Sequence, residues 1–141
     1  MSTGTTTTDG IVFGPTAAGT QYISLNYHRG GRRPDKNFWS PAFPPQDEFA
    51  LFETAEAAPA WEDAQQHLWG VSDQGETELG LRGERVAKFP CPQNPTDQWH
   101  GYPVSPKERD TDRPPDEVID LWIELGAITR VWARRIQRRK V

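Results

Sequence analysis

The run Trp99-His100-Gly101-Tyr102-Pro103 puts an imidazole two residues from a phenol, with Arg85 and Lys88 on a neighbouring expected strand. In metal-independent RNA cleavage a histidine takes the 2′-hydroxyl proton, while arginine or lysine stabilises the charge that develops on the phosphorus. His100, Tyr102, Arg85 and Lys88 are therefore the candidate catalytic residues of an RNA-cleaving site. The plainer reading of His100 is a structural or surface histidine. Any sheet carries such residues, and spacing alone does not show that the four share a face.

A second cluster lies at residues 28–36, where Arg29, Arg32, Arg33 and Lys36 surround two glycines and a proline in an expected loop. With Trp39 close by, this segment could hold single-stranded nucleic acid by charge and stacking. Core packing is the alternative for Trp39, and the loop lacks the lysine and hydroxyl of a phosphate-binding motif. A sequence pI near 5.4 also argues against a nucleic-acid domain. One cysteine and three scattered histidines do not make a zinc site, so neither metal nor cofactor is expected. Cys91, flanked by prolines with no adjacent cation, has no feature that would activate it as a nucleophile.

The element read most directly from the sequence is a long amphipathic helix over about 115–139. Pro114-Pro115-Asp116-Glu117 is a start signal, with proline in the first turn and acids at the positive end of the helix dipole. Val118, Leu121, Trp122, Leu125, Ile128, Trp132 and Ile136 fall in a sector roughly 120° wide, the width of a core-facing stripe. Acids fill the first half, and Arg130, Arg134, Arg135, Arg138, Arg139 and Lys140 fill the second. Ile119, Ile123 and Val131 lie outside the stripe. Gly126 interrupts it at a cost of about 1 kcal/mol relative to alanine. One reading makes these residues a second contact surface, with Gly126 allowing close approach of a partner.

Elsewhere the chain reads as short elements separated by turns. Strands are expected near Ile11–Phe13, Gln21–Tyr27, Phe49–Glu53, Glu76–Leu81, Glu84–Phe89 and Trp99–Ser105. A short middle helix is expected from Pro59 to Gly70, and Asn37–Pro45 reads as a packed irregular segment. The expected fold is thus α+β: a small mixed, mainly antiparallel sheet with one short middle helix and the long C-terminal helix packed on it. Residues 1–10 are expected to be a flexible lead-in and residues 11–141 one domain, a length that can bury a core without disulfides or metal. Six tryptophans, six phenylalanines and three tyrosines point to an aromatic core.

Net charge is only −4, but it is unevenly distributed. Ten acids and one cation lie between Asp47 and Glu84, flanked by the basic loop and the basic last twelve residues. These blocks either neutralise one another within the fold or present opposite charges to partners. No apolar run approaches the about 20 residues needed to cross a bilayer, so no membrane partner is expected. A single cysteine and the lack of a secretory leader pattern point to the cytoplasm.

The functional expectation is a small non-enzymatic interaction protein that binds a protein partner, or a second copy of itself, through Ile119, Ile123, Arg130, Arg134 and Arg138. The alternative is a small metal-independent RNA-binding or RNA-cleaving domain built on His100 with Arg85 and Lys88.

Overall fold

The computed structural model describes residues 4–30 and 37–141, which form two three-stranded antiparallel sheets and three helices. The first sheet runs β1 (Thr5–Thr6), β2 (Gly10–Phe13), β3 (Tyr22–Leu25), with Phe13 opposite Tyr22 and Gly10 opposite Leu25. Thr5 and Thr6 pair with Val12 and Ile11, so sheet structure reaches back into the segment read as a lead-in. Helix α1 (Pro45–Glu56) packs against both β3 and β4 (Leu68–Gly70). The second sheet places β4 and β6 (Tyr102–Val104) on either side of β5 (Val86–Phe89). The two sheets are tied together where Ile23 N–H donates to Trp99 O (2.8 Å) and Trp99 N–H donates to Gln21 O (2.9 Å). The C-terminal region forms α2 (Asp116–Leu125) and α3 (Arg130–Gln137). No helix among the described residues is long and apolar enough to cross a membrane.

Between these layers lies an aromatic core. Tyr22 meets Phe52 at 5.0 Å and Phe89 at 5.9 Å between ring centroids, and Phe52 meets Phe89 edge-on at 5.6 Å. Each such pair contributes about 0.5–1.5 kcal/mol beyond the area it buries. Trp61 and Trp122, both buried, join α2 to this core at 5.7 Å.

Four expectations change. The run Phe49–Glu53, read as a strand, lies inside α1. Hydrophobicity alone cannot separate a short strand from a buried helical turn, and the start signals decide it. Pro45 occupies the first turn, Asp47 and Glu48 face the positive dipole end, and Phe49, Phe52 and Ala55 are buried at helical spacing.

The helix expected from Pro59 to Gly70 does not form. Asp63 accepts from the backbone N–H of Gln65 (2.9 Å) and His67 (3.0 Å), and its other oxygen accepts from Trp69 Nε1 (2.9 Å). An aspartate that satisfies its own following backbone favours a turn over a helix. Gln66 sits at φ 67°, and Leu68 then enters β4. Likewise Glu76–Leu81 is not a strand: Leu79 and Gly80 bond back to Glu84 O across the turn at Arg82-Gly83, and β5 begins only at Val86.

The single C-terminal helix over 115–139 is two helices. Gly126 adopts φ 75°, its N–H donates to Ile123 O (3.1 Å), and the N–H of Ala127 donates to Trp122 O (2.8 Å). That bond pair is the glycine-dependent stop that satisfies the last free carbonyls of a helix. Thr129 then caps α3 by accepting from Trp132 N–H (3.3 Å). Gly126 is a terminator, and the apolar stripe spans the break because Ile128 in the turn is buried with Trp122 and Ile136.

Candidate functional site

The four residues of the RNA-cleaving constellation separate into two groups. Lys88 and Tyr102 are direct cross-strand partners on β5 and β6. His100 lies just before β6, and its ring is parallel to that of His28 at 6.4 Å, while His28 lies 5.2 Å from Tyr102. The structure therefore brings together His28, His100 and Tyr102. Arg85 is not among them: it lies 4.0 Å over the Trp132 ring, donates to the carbonyls of Gly75 (3.2 Å) and Glu76, and pairs with Glu78 at 3.5 Å. Lys88 donates to Thr111 O (2.9 Å) and sits 5.2 Å over Trp69. Both cations are occupied in holding loops.

Burial shifts the titratable members of this cluster. It lowers the pKa of His100, which keeps the imidazole neutral, and it raises that of Tyr102, with the nearby Asp112 charge adding to the rise. His28 Nδ1 donates to Asn37 O (3.0 Å), so in its neutral form the unprotonated nitrogen is Nε2.

Of the basic-loop candidates, Arg32, Arg33 and Lys36 lie outside the described residues. Trp39 is a core residue, 1% exposed, whose Nε1 donates to Gly101 O (3.1 Å), so it offers no stacking surface. Arg29 is drawn inward. Its Nε donates to Glu48 Oε2 (2.8 Å), Nη2 makes a second bond to the same oxygen, and Nη1 donates to Ser40 O (3.2 Å).

Glu48 is the residue that the sequence did not single out. It is fully buried on α1 and accepts from Tyr22 Oη (2.7 Å) and Ser24 Oγ (2.5 Å) besides Arg29. Burial raises its pKa against the opposing pull of Arg29 and these hydrogen bonds, and burial together with the Glu48 charge raises that of Tyr22. The only sequence signal was its place in the first turn of a helix that read as a strand. The network reads as structural, since every oxygen is satisfied and nothing is left to engage a ligand.

The partner-binding candidates divide as well. Ile119 is fully buried and Ile123 half-buried against the core, because α2 is short and presents a wide face to the protein. Arg130, Arg134 and Arg138, spaced by four, are exposed and form no ion pair with any described residue. The other basic block residues behave differently: Arg139 pairs with Asp110, and Arg135 lies 4.8 Å over Trp132. Asp47 and Glu53 on α1 are likewise exposed and form no ion pair with any described residue. Among the described residues the charge blocks are thus only partly neutralised.

Among the described residues no three His, Cys, Asp or Glu side chains gather into a metal-binding group. Comparison with protein families, with characterised proteins and with solved structures returns no match.

Proposed function

We propose that this chain is a small cytoplasmic interaction protein that binds an acidic segment of a protein partner across the outer face of α3. The observation that carries this is the row Arg130, Arg134 and Arg138, which pairs with no described carboxylate, in a molecule whose Arg29, Arg82, Arg85, Arg113 and Arg139 all find carboxylates. Three like charges on one helix face repel one another, a cost that a complementary partner removes. Exposed aliphatic side chains accompany them: Val131 is 67% exposed and Leu125, at the end of α2, 47%. Arginines flanked by aliphatic groups suit an acidic amphipathic segment better than a phosphate backbone, which offers nothing for the aliphatics to bury against. A second copy, through Asp47 and Glu53 of α1, belongs to the same class of partner.

The test is affinity purification and light scattering on wild type and on Arg130→Glu/Arg134→Glu/Arg138→Glu. At about 0.5–1 kcal/mol per exposed charge contact, the triple variant loses about 10- to 100-fold in affinity. An unaltered complement of partners and an unaltered oligomeric state in that variant overturn the reading.

The second reading, RNA binding or cleavage, is favoured by one observation, the parallel approach of His28 and His100 beside Tyr102. Its two expected cations, Lys88 and Arg85, are not free to stabilise phosphorus. Incubation and a binding titration with single-stranded RNA test it: cleavage abolished by His100→Ala supports it, and RNA left both intact and unbound by wild type excludes it.

A further inference from the structure

We infer that the cleft between the β1–β2 turn, the outer face of β3 and the segment 96–100 is a binding site for a neutral polyhydroxylated ligand, a sugar ring. The cleft is an open groove of about 710 Å³, within the size range of ligand sites. Its walls are held in place without a ligand. Asn26 N–H donates to Asp9 O (2.9 Å) and Asn26 Nδ2 donates to Thr8 O (3.1 Å), which fixes the turn against β3. On the other side the two backbone bonds between Trp99 and β3 fix the segment that carries Gln98 and His100.

Ligand class follows from what lines the cleft. Asp9 and Asp97 are its only charged described residues, so phosphates and carboxylates are repelled. Among the described residues no three carboxylate, imidazole or thiol groups gather to hold a metal ion, and because Asn26 Nδ2 is already given to Thr8 O, Gln21 and Gln98 are the amides able to offer a donor. A hydroxyl donates and accepts at once, and this mixture of carboxylates and amides meets it in both roles. The neutral imidazole of His100 adds one donor and one acceptor. Ile23 and Leu25 make an apolar floor, and Tyr27, 61% exposed, presents its ring at the rim edge-on to His28 at 5.0 Å. An apolar surface beside convergent polar groups suits a sugar, which has C–H faces and hydroxyl edges. These residues are distinct from the α3 face, so the inference stands apart from the partner-binding reading.

The experiment is a titration of ¹⁵N-labelled protein, followed by NMR, with the methyl glycosides of glucose, galactose and mannose and with N-acetylglucosamine. Agmatine and inorganic phosphate serve as cationic and anionic probes. At least one sugar is expected to shift the amide signals of Asn26, Gln98 and His100 while both ionic probes leave them in place. Tyr27→Ala and Asp97→Asn, both surface changes, are each expected to weaken binding about tenfold, the loss of one hydrogen bond or ring contact. The inference is overturned if no sugar moves those signals, if agmatine or phosphate moves them instead, or if both variants bind as wild type does.

Discussion

Arg29 meets Glu48 through two donors on a single carboxylate oxygen, so the residue that opens the basic loop is anchored to a buried position on α1. Tyr22 and Ser24 on β3 donate to the same carboxylate. A helix, a strand and a loop thereby share one charge, and this charge is stable in the interior only while all its partners remain.

Removing either Arg29 or Glu48 leaves the other without its opposite charge. Arg29→Ala is expected to destabilise the protein by about 3–5 kcal/mol, and Glu48→Ala by a similar amount. The double variant should cost much less than the sum. Urea denaturation of the four proteins measures the coupling, and strict additivity would show that the pair does not act as a unit.

Arginines on the same chain should differ sharply in their effect on stability. Arg85→Ala removes two bonds to loop carbonyls and the contact with Trp132, and is expected to cost about 1–2 kcal/mol. Arg134 is exposed and forms no side-chain hydrogen bond or ion pair with a described residue, so Arg134→Ala should fall within about 0.5 kcal/mol of wild type. Thermal melts of the two single variants separate a cation that holds the fold from one available to a partner.

Gly126 is required by its backbone angle alone. A side chain there meets no atom within 4 Å, yet φ is 75°. Gly126→Ala is expected to lose about 1 kcal/mol from strain in the left-handed region, and Gly126→Asn less. Equal stability of all three would show that the break between α2 and α3 does not depend on glycine.

His100 gives the stability a defined pH dependence. Burial holds its folded pKa below the ordinary 6.5, so the folded state resists protonation that the unfolded chain accepts. Its contribution is fully present above that value and is lost as the pH falls through the lower, folded pKa. Denaturation midpoints between pH 7.5 and 5 should therefore fall more for wild type than for His100→Gln. Parallel curves would mean that His100 titrates alike in both states.

The turn at Asp63 makes the remaining prediction. Its carboxylate takes three donors, two backbone and one from Trp69, and Asp63→Ala leaves them without partners. A loss of about 2–3 kcal/mol is expected, and Asp63→Asn should recover part of it. Calorimetry on both variants checks the order.

Residue pattern alone determined the α+β class, the aromatic nature of the core, the strands at β2, β3, β5 and β6, and a start signal at Pro114-Pro115-Asp116. These are local matters: alternation, turn residues and dipole-matched charge act within a few positions of one another. Tertiary structure decided the rest. Gly126 costs a helix little enough to be tolerated, and only the bonds from its own N–H and that of Ala127 made it a terminator. Asp63 had the composition of a helix start, and its bonds to backbone and Trp69 turned it into a corner. Site assembly was less legible still. His28 and His100 meet across the fold, Glu48 gathers donors from β3 and the loop beyond it, and Arg85 leaves the cluster for Trp132. Such meetings depend on which faces pack together, and a single sequence records the faces without recording their pairing.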